Sequence, residues 1–187
     1  MILAFAASVA LSISGGDEAR LTKGEIVLNV LRDEGVDSGQ VDAWIDIPAA
    51  PALVWQTLND CAGAPRFVPS LLQCKVVESD PLGAWDIREH LADPGWLLPN
   101  IRSRFRADYT PQTEIRFVQI EGDFEVLQGR WTLAPIDAGQ GTRLRYEARL
   151  KPKMWVPDFI VRGIIEHDAP DTLRALRTEA VRRKTAN

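Results

Sequence analysis

The sequence predicts an α+β fold in which a curved antiparallel sheet of about seven or eight strands wraps around one long C-terminal helix. Residues 24–47 have the composition of a β-hairpin, and residues 73–151 alternate with a period of two between recurrent turn signals. Residues 157–183 carry an apolar stripe at helical spacing. No helical pattern fits between the strands of the middle region, so we expect an antiparallel meander.

The length and charge of the chain set the first limits on what it does. With 187 residues, the chain has the size of one domain and can bury a core without metal or disulfide support. The formal net charge is -4 at pH 7, whereas phosphate binding needs a concentrated basic surface. We therefore expect no nucleic-acid partner, and we expect a monomer.

The N-terminus has the features of an export signal. Residues 2–13 form an apolar run that is too short to span a bilayer comfortably, and Ser12 and Ser14 could occupy the small-residue positions before a cleavage site. We expect residues 1–20 to be a signal peptide and linker, residues 21–187 to be the domain, and the protein to be periplasmic or secreted. The alternatives are a cytoplasmic protein or a membrane-associated N-terminus, since no Lys or Arg precedes the run.

The predicted domain begins with a hairpin that is followed by a helix. Residues 24–32 and 40–47 are β-rich and are separated by a segment of Gly, Asp and Ser. Pro48 ends the second strand, and Pro51 suits the first turn of a helix. The piece 65–72 is broken by prolines, so we expect it to act as a lid-like connection at the mouth of a pocket.

Two strands of the meander show most clearly which face points inward. In residues 101–109 and 142–151, apolar residues alternate with charged ones. The inward set is Ile101, Ser103, Phe105, Ala107, Tyr109, Leu144, Tyr146, Ala148 and Leu150. The outward set includes Arg102, Arg104, Arg106, Arg143, Arg145 and Arg149. These arginines could form a basic patch for a transient contact with a membrane surface, or they could pair across the sheet.

The C-terminal helix is predicted over residues 157–183. Its apolar stripe consists of Ile160, Val161, Ile164, Ile165, Leu173 and Leu176. Pro170, preceded by Asp168 as a candidate cap, is expected to kink or break the helix.

This layout predicts a pocket, because one amphipathic helix cannot fill the concave side of a strongly curved sheet. The candidate ligand-binding residues are Trp85, Ile87, Ser103, Phe105, Tyr109, Phe117, Trp131, Tyr146, Phe159 and Ile164. For most of them, plain core packing is the alternative interpretation. It applies less to Tyr109 and Tyr146, whose hydroxyls need partners when they are buried.

Three stretches of the sequence carry a family resemblance. They are residues 45–78 (IDIPAAPALVWQTLNDCAGAPRFVPSLLQCKVVE), residues 121–133 (EGDFEVLQGRWTL) and residues 142–163 (TRLRYEARLKPKMWVPDFIVRG). They resemble the START-like superfamily, in the branch that includes polyketide cyclase/dehydrase and coenzyme-Q-binding proteins, and the resemblance covers about residues 40–183. It implies a helix-grip fold with a deep apolar cavity for a lipid, a quinone or a polyketide.

The matching positions indicate the fold rather than a reaction. They are Val54 and Trp55, residues 67–69, residues 129–131 and residues 142–146. The catalytic residues of the family vary too much to be transferred to this chain. We therefore expect a protein that binds or transports a hydrophobic small molecule without a cofactor. The alternative is a small-molecule cyclase or dehydratase that acts on a polyketide-like or aromatic substrate.

The candidate residues for chemistry are few. Glu89 falls on the predicted inward face of its strand, where burial would raise the pKa of its carboxyl toward acid–base use, but a register shift of one residue would place it outside. With two histidines, His90 and His167, we expect no metal site and no catalytic triad. Cys61 and Cys74 could form one disulfide in an exported protein, or they could be two small buried hydrophobic residues.

Overall fold

A computed structural model describes residues 13–32, 39–95, 98–156 and 158–186; the side chains of residues 31–32, 158–161 and 164 lie outside this description. The helices are α1 (Gly15–Thr22), α2 (Pro51–Asn59) and α3 (Asp158–Ala186), with short 3-10 turns at Ala64–Arg66 and Asp137–Gly139. The strands are β1 (Val27–Arg32), β2 (Gly39–Ile47), β3 (Leu71–Ser79), β4 (Trp85–Ala92), β5 (Ile101–Thr110), β6 (Glu114–Gly122), β7 (Phe124–Ile136) and β8 (Gly141–Pro152).

All eight strands form one antiparallel sheet in the order β1-β2-β8-β7-β6-β5-β4-β3. Strands β3 to β8 follow one another as a meander, and the N-terminal hairpin is added at β8, where Gly39 pairs with Leu150 and Ile47 pairs with Thr142. The long helix α3 packs against the sheet and against α2. The predicted fold class, a curved antiparallel sheet with a long C-terminal helix, is confirmed.

The main core lies where β2 and β8 meet the C-terminal half of α3. Ile45 and Leu144 are fully buried there, and Leu173 and Leu176 reach them from the helix. The Thr142 hydroxyl donates a hydrogen bond of 2.7 Å to the Ala49 carbonyl, which fixes the start of β8 to the connection between β2 and α2. The alternate buried residues of the strands therefore pack against the apolar face of α3, as the sequence predicted.

The N-terminal segment differs from the expectation. The linker was expected to reach residue 20, but residues 15–22 form α1, and Leu21 is 1% exposed. The Ser14 hydroxyl accepts a hydrogen bond from the Asp17 amide and caps this helix. Glu18 binds Arg143 of β8 through two hydrogen bonds of 2.7 and 2.8 Å. These contacts make α1 part of the folded domain; the predicted signal run up to residue 12 lies outside the described residues.

Helix α3 does not break at Pro170, so of the two expected effects, a kink or a break, the break does not occur. The helix continues from Asp158 to Ala186, with Pro170 in its interior and Asp168 as a helical residue rather than a cap. A proline removes one helical hydrogen bond, and packing on both sides of it compensates for that loss: Ile165 before it and Leu173 after it are both buried. Among the described residues, no helix is both long and apolar enough to cross a membrane.

Candidate functional site

A cavity of about 320 Å³ lies between the concave face of the sheet and the elements that cover it. Its floor comes from the inward side chains of β4 to β8, and its cover comes from α2, the 3-10 turn after it and the middle of α3. Aromatic and aliphatic groups dominate the wall, among them Phe67, Phe105, Phe117, Leu127 and Leu176. We call this space the larger chamber.

A second space of about 210 Å³ lies toward the β2–β8 side of the sheet, and we call it the smaller chamber. Its own walls are largely apolar and include Val41, Leu150, Ile165 and Ala169. Asp168 is the acidic group on this wall; burial raises the pKa of its carboxyl, and nearby Asp171 adds to the rise. Three further residues, Trp131, Tyr146 and Thr172, line both chambers.

A row of aromatic rings crosses the concave face of the sheet. The ring centroids of Phe105 and Phe117 lie 6.0 Å apart, those of Phe117 and Tyr146 lie 6.3 Å apart, and those of Tyr146 and Trp131 lie 4.2 Å apart. The Phe117 ring can reach toward Tyr146 because Gly129 stands between them on β7. A Cβ at Gly129 would lie 2.6 Å from the Phe117 ring, a distance at which the ring or the strand must shift.

Strand β4 turns a polar face toward the cavity. Arg88 is buried, and its Nε donates to the Asp86 carboxylate at 3.0 Å. Its remaining nitrogens donate to the Leu58 carbonyl at 3.2 Å, to the Asn59 side chain at 2.8 Å and to the Tyr109 hydroxyl at 2.6 Å. A buried charge is tolerated when it is paired and hydrogen-bonded, and Arg88 meets both conditions.

Three groups on or beside the wall of the larger chamber have shifted pKa values. Burial lowers the pKa of His90 to about 4, and the nearby Arg88 charge lowers it further, so the imidazole is neutral at physiological pH. Burial raises the pKa of Tyr146 to about 12 and keeps its hydroxyl protonated. Burial also raises the pKa of Tyr109, against the opposing charge of Arg88. The site therefore offers hydrogen-bond donors and a neutral imidazole to a ligand.

The inward face of β4 is a correction to the prediction. Trp85, Ile87 and Glu89 were expected to point inward, but the inward residues are Asp86, Arg88 and His90. Trp85 lies on the outer face, 4.3 Å under the guanidinium of Arg106 on β5. Glu89 is on the same outer face, 3.9 Å from Arg104, with about half of its side chain exposed. Glu89 thus loses the buried setting on which its candidacy as an acid–base residue depended.

The other predicted ligand-binding residues fall into three groups. Ser103, Phe105, Phe117, Trp131 and Tyr146 line the larger chamber. Tyr109 points inward but lies outside the chamber wall, where it touches Trp55 of α2 edge-on at 5.8 Å and binds Arg88. The side chains of Phe159 and Ile164 lie outside the described part of the structure. The sequence interpretation missed Arg88 and His90, although the alternation of Asp86, Arg88 and His90 was a visible period-two signal.

The segment between α2 and β3 forms one side of the larger chamber. Phe67 and Val68, from the piece 65–72 that was expected to form a lid, are wall residues, and so is Ala64 just before it. Cys61 and Cys74 also line this wall and are joined in a disulfide, with 5.3 Å between their Cα atoms. The bond ties the loop after α2 to strand β3.

The outward arginines do not form the proposed single basic patch. Strands β5 and β8 are separated by β6 and β7, so the two groups of arginines are not adjacent. Arg106 pairs with Asp108 at 2.8 Å, Arg143 with Asp46 at 2.8 Å, and Arg145 with Asp42 at 2.8 Å. These ion pairs follow the alternative interpretation, in which the charges pair along and across the strands. No group of three or more potential metal ligands occurs within the described ranges.

An antiparallel sheet that curves around one long helix and encloses an apolar chamber defines the class of helix-grip proteins. A family model described as "Polyketide cyclase / dehydrase and lipid transport" matches residues 47–177, which is more than half of the chain. The chain therefore belongs to this family. Among the curated proteins, no sequence match was found.

Solved structures with the same fold include proteins whose names match each of the two activities in the family description. The STAR-related lipid transfer protein from Xanthomonas axonopodis is 16% identical, with a TM-score of 0.71 over 83% of this chain and 93% of that chain. The Zhui aromatase/cyclase from a Streptomyces species is 19% identical, with a TM-score of 0.68 over 78% of this chain and 95% of that chain. The lipid transfer and protein localization domain of human StarD13 is 16% identical, with a TM-score of 0.66 over 88% and 93% of the two chains. At these identities the similarity shows the fold.

Proposed function

We propose that the protein binds and carries a hydrophobic small molecule, such as a lipid, a quinone or a polyketide-like compound, in the larger chamber. The observation that supports this proposal is the chamber itself, with aromatic and aliphatic walls and a few polar groups at one side. Burial of about 300 Å² of apolar ligand surface would contribute about 7 kcal/mol before the entropic cost of binding. A carrier needs this chamber and no further chemistry.

The test is native mass spectrometry of the protein purified from its own host, followed by extraction of the bound molecule. We expect a reproducible mass excess that disappears on denaturation. The variant Ala107→Phe adds a ring to the larger chamber and should reduce occupancy, whereas Val118→Phe, which substitutes an exposed residue of β6, should leave it unchanged. A protein that is repeatedly empty, or equal occupancy in both variants, would contradict the carrier function.

The second candidate is a cyclase or dehydratase activity, in line with the family description. The observation that favours it is a neutral imidazole, His90, on the chamber wall, directly opposite Ser103 in the β4–β5 pair. A pKa of about 4 makes His90 a weak base, so this candidate has less support than binding. If the activity exists, His90→Gln should lower turnover by a larger factor than it lowers ligand occupancy.

We further propose that the protein acts as an exported monomer. The apolar run at residues 2–13 supports export, and the Cys61–Cys74 disulfide is typical of an oxidising compartment. Immunodetection of the tagged protein in cell fractions tests this localisation, and detection in the cytoplasm alone would contradict it. We also propose a transient contact with a membrane surface, made by a part of the protein other than the paired arginines of β5 and β8.

A further inference from the structure

The two chambers are neighbours that share one wall. Trp131 and Tyr146 from the sheet and Thr172 from α3 line both spaces. On one side of these residues lie the aromatic walls of the larger chamber. On the other side, Val41, Leu150, Ile165 and Ala169 continue an apolar surface. The two chambers therefore adjoin at these three residues, with apolar walls on either side of them.

The register of the sheet brings the rings of Trp131 and Tyr146 together where the two chambers adjoin. Trp131 on β7 pairs directly with Tyr146 on β8, and both side chains point toward α3. Their ring centroids are 4.2 Å apart with a tilt of 31° between the planes, which is contact distance for two rings. Phe117 stacks on Tyr146 from the side of the larger chamber, with 14° between the planes. Two adjacent strands thus hold the ring pair in place, and Thr172 faces it from the helix.

We propose that the Trp131–Tyr146 ring pair is the specificity-determining element of the cavity, because it ends the larger chamber and so limits the length of the apolar ligand. The proposal deepens the proposed binding function and rests on it. With the ring pair in place, a ligand occupies the larger chamber alone. Removal of the Trp131 ring opens the apolar path into the smaller chamber and admits a longer chain.

This arrangement has a measurable signature in a series of straight-chain fatty acids. Each methylene that leaves water for an apolar site contributes about 0.8 kcal/mol, which corresponds to about a fourfold gain in affinity. The wild-type protein should show this gain for each added methylene until the larger chamber is full. Beyond that length, added methylenes meet the ring pair and affinity should stop rising.

The experiment measures the affinity of each acid by displacement of the fluorescent probe anilinonaphthalene sulfonate. In Trp131→Ala, the chain length at which affinity stops rising should increase by several methylenes. The matched control is Trp85→Ala, which removes a tryptophan from the outer face of β4 and should leave the limiting length unchanged. An unchanged limit in Trp131→Ala would overturn the proposal.

A second variant keeps the test valid if Trp131→Ala folds poorly. Ala169 lines the smaller chamber and is not part of the wall of the larger one, so Ala169→Leu narrows the smaller chamber alone. In the wild-type background, Ala169→Leu should leave the limiting chain length unchanged. In the Trp131→Ala background, the same substitution should shorten the limiting chain length again. A shorter limit in Ala169→Leu alone would mean that ligands already pass the ring pair, and would overturn the proposal. If no fatty acid of any length displaces the probe from the wild-type protein, the binding function itself is contradicted.

Discussion

His90 lies among groups that favour its neutral form. Its ring meets Phe105 edge-on at 4.7 Å, and the Arg88 guanidinium lies on the same face of β4, while Asp86 opposes part of that charge. Burial therefore lowers the pKa of His90 from 6.5 in the unfolded chain to about 4. Between these two pH values the unfolded chain binds a proton that the folded protein does not, so the free energy of unfolding falls as the pH is lowered.

Because of this proton, we expect the free energy of unfolding to fall by about 2–3 kcal/mol when the pH is lowered from 7 to 4.5. Urea denaturation at several pH values measures this loss. In His90→Gln the free energy of unfolding should depend less on pH by that amount, because no imidazole remains to be protonated. His167→Gln, which changes an exposed histidine, is the control and should behave like the wild type. Equal pH dependence in His90→Gln and the wild type would contradict the assignment.

The inward face of β4 explains why the candidate site was predicted in part. Apolar alternation identified the inward faces of β5 and β8 correctly, because Ala107, Leu144 and Ala148 are buried as the pattern requires. The same rule failed in β4, where the more apolar set points outward and Asp86, Arg88 and His90 point inward. Arg88 can be buried because partners from distant parts of the chain, Leu58, Asn59 and Tyr109, accept its hydrogen bonds. A local pattern contains no information about such partners.

At the scale of elements, the Cys61–Cys74 disulfide joins α2 and its following loop to the edge strand β3. The two cysteines are 13 residues apart in the sequence, and a cross-link over a loop of this size contributes about 3 kcal/mol in the chain-entropy model. We expect Cys61→Ser with Cys74→Ser to lower the free energy of unfolding by about that amount. Chemical denaturation with and without a reductant measures it.

The reductant supplies the internal control for the disulfide. It should destabilise the wild type and have no effect on the double variant. Both cysteines line the larger chamber, so the reduced protein should also bind an apolar probe less well. Equal unfolding free energies of the reduced and oxidised wild type would contradict a stabilising role.

Most elements could be predicted from their local patterns, and the exceptions depended on tertiary contacts. The hairpin β1–β2, helix α2 and strands β3 to β8 follow from periodicity and from turn residues. Helix α1 is short, and its place in the fold depends on the burial of Leu21 and on the pairing of Glu18 with Arg143. Similarly, α3 passes Pro170 because packing on both sides stabilises it. Contacts of this kind join residues that are far apart in the chain, so the sequence pattern does not show them.

At the scale of the whole molecule, the exposed apolar residues of the β8–α3 connection stand out. Trp155 is 83% exposed and Met154 is 49% exposed, and the exposed Lys153 precedes them. Leu150 of β8, before the connection, and Ile165 of α3, after it, both line the smaller chamber. Tryptophan favours the interface between membrane and water, and lysine favours anionic headgroups. We therefore expect this connection to contact an anionic membrane surface.

Cosedimentation with vesicles of phosphatidylcholine and phosphatidylglycerol tests this contact. Trp155→Ala should reduce the bound fraction by about fivefold, because a large apolar side chain no longer enters the interface. Leu82→Ala removes an exposed apolar side chain from the β3–β4 turn and should have little effect. Equal binding of the two variants would show that this connection is not the contact surface.

The position of the N-terminal hairpin next to β8 has a consequence for the folding of the chain. Strands β3 to β8 can pair in succession, since each follows its partner after a short connection. Strand β2 must instead pair with residues about a hundred positions further along, as Gly39 does with Leu150. Closing so long a loop has an entropic cost that slows folding. During synthesis β2 cannot form this pairing until β8 has been made, and we expect it to form after the early strands of the meander have paired.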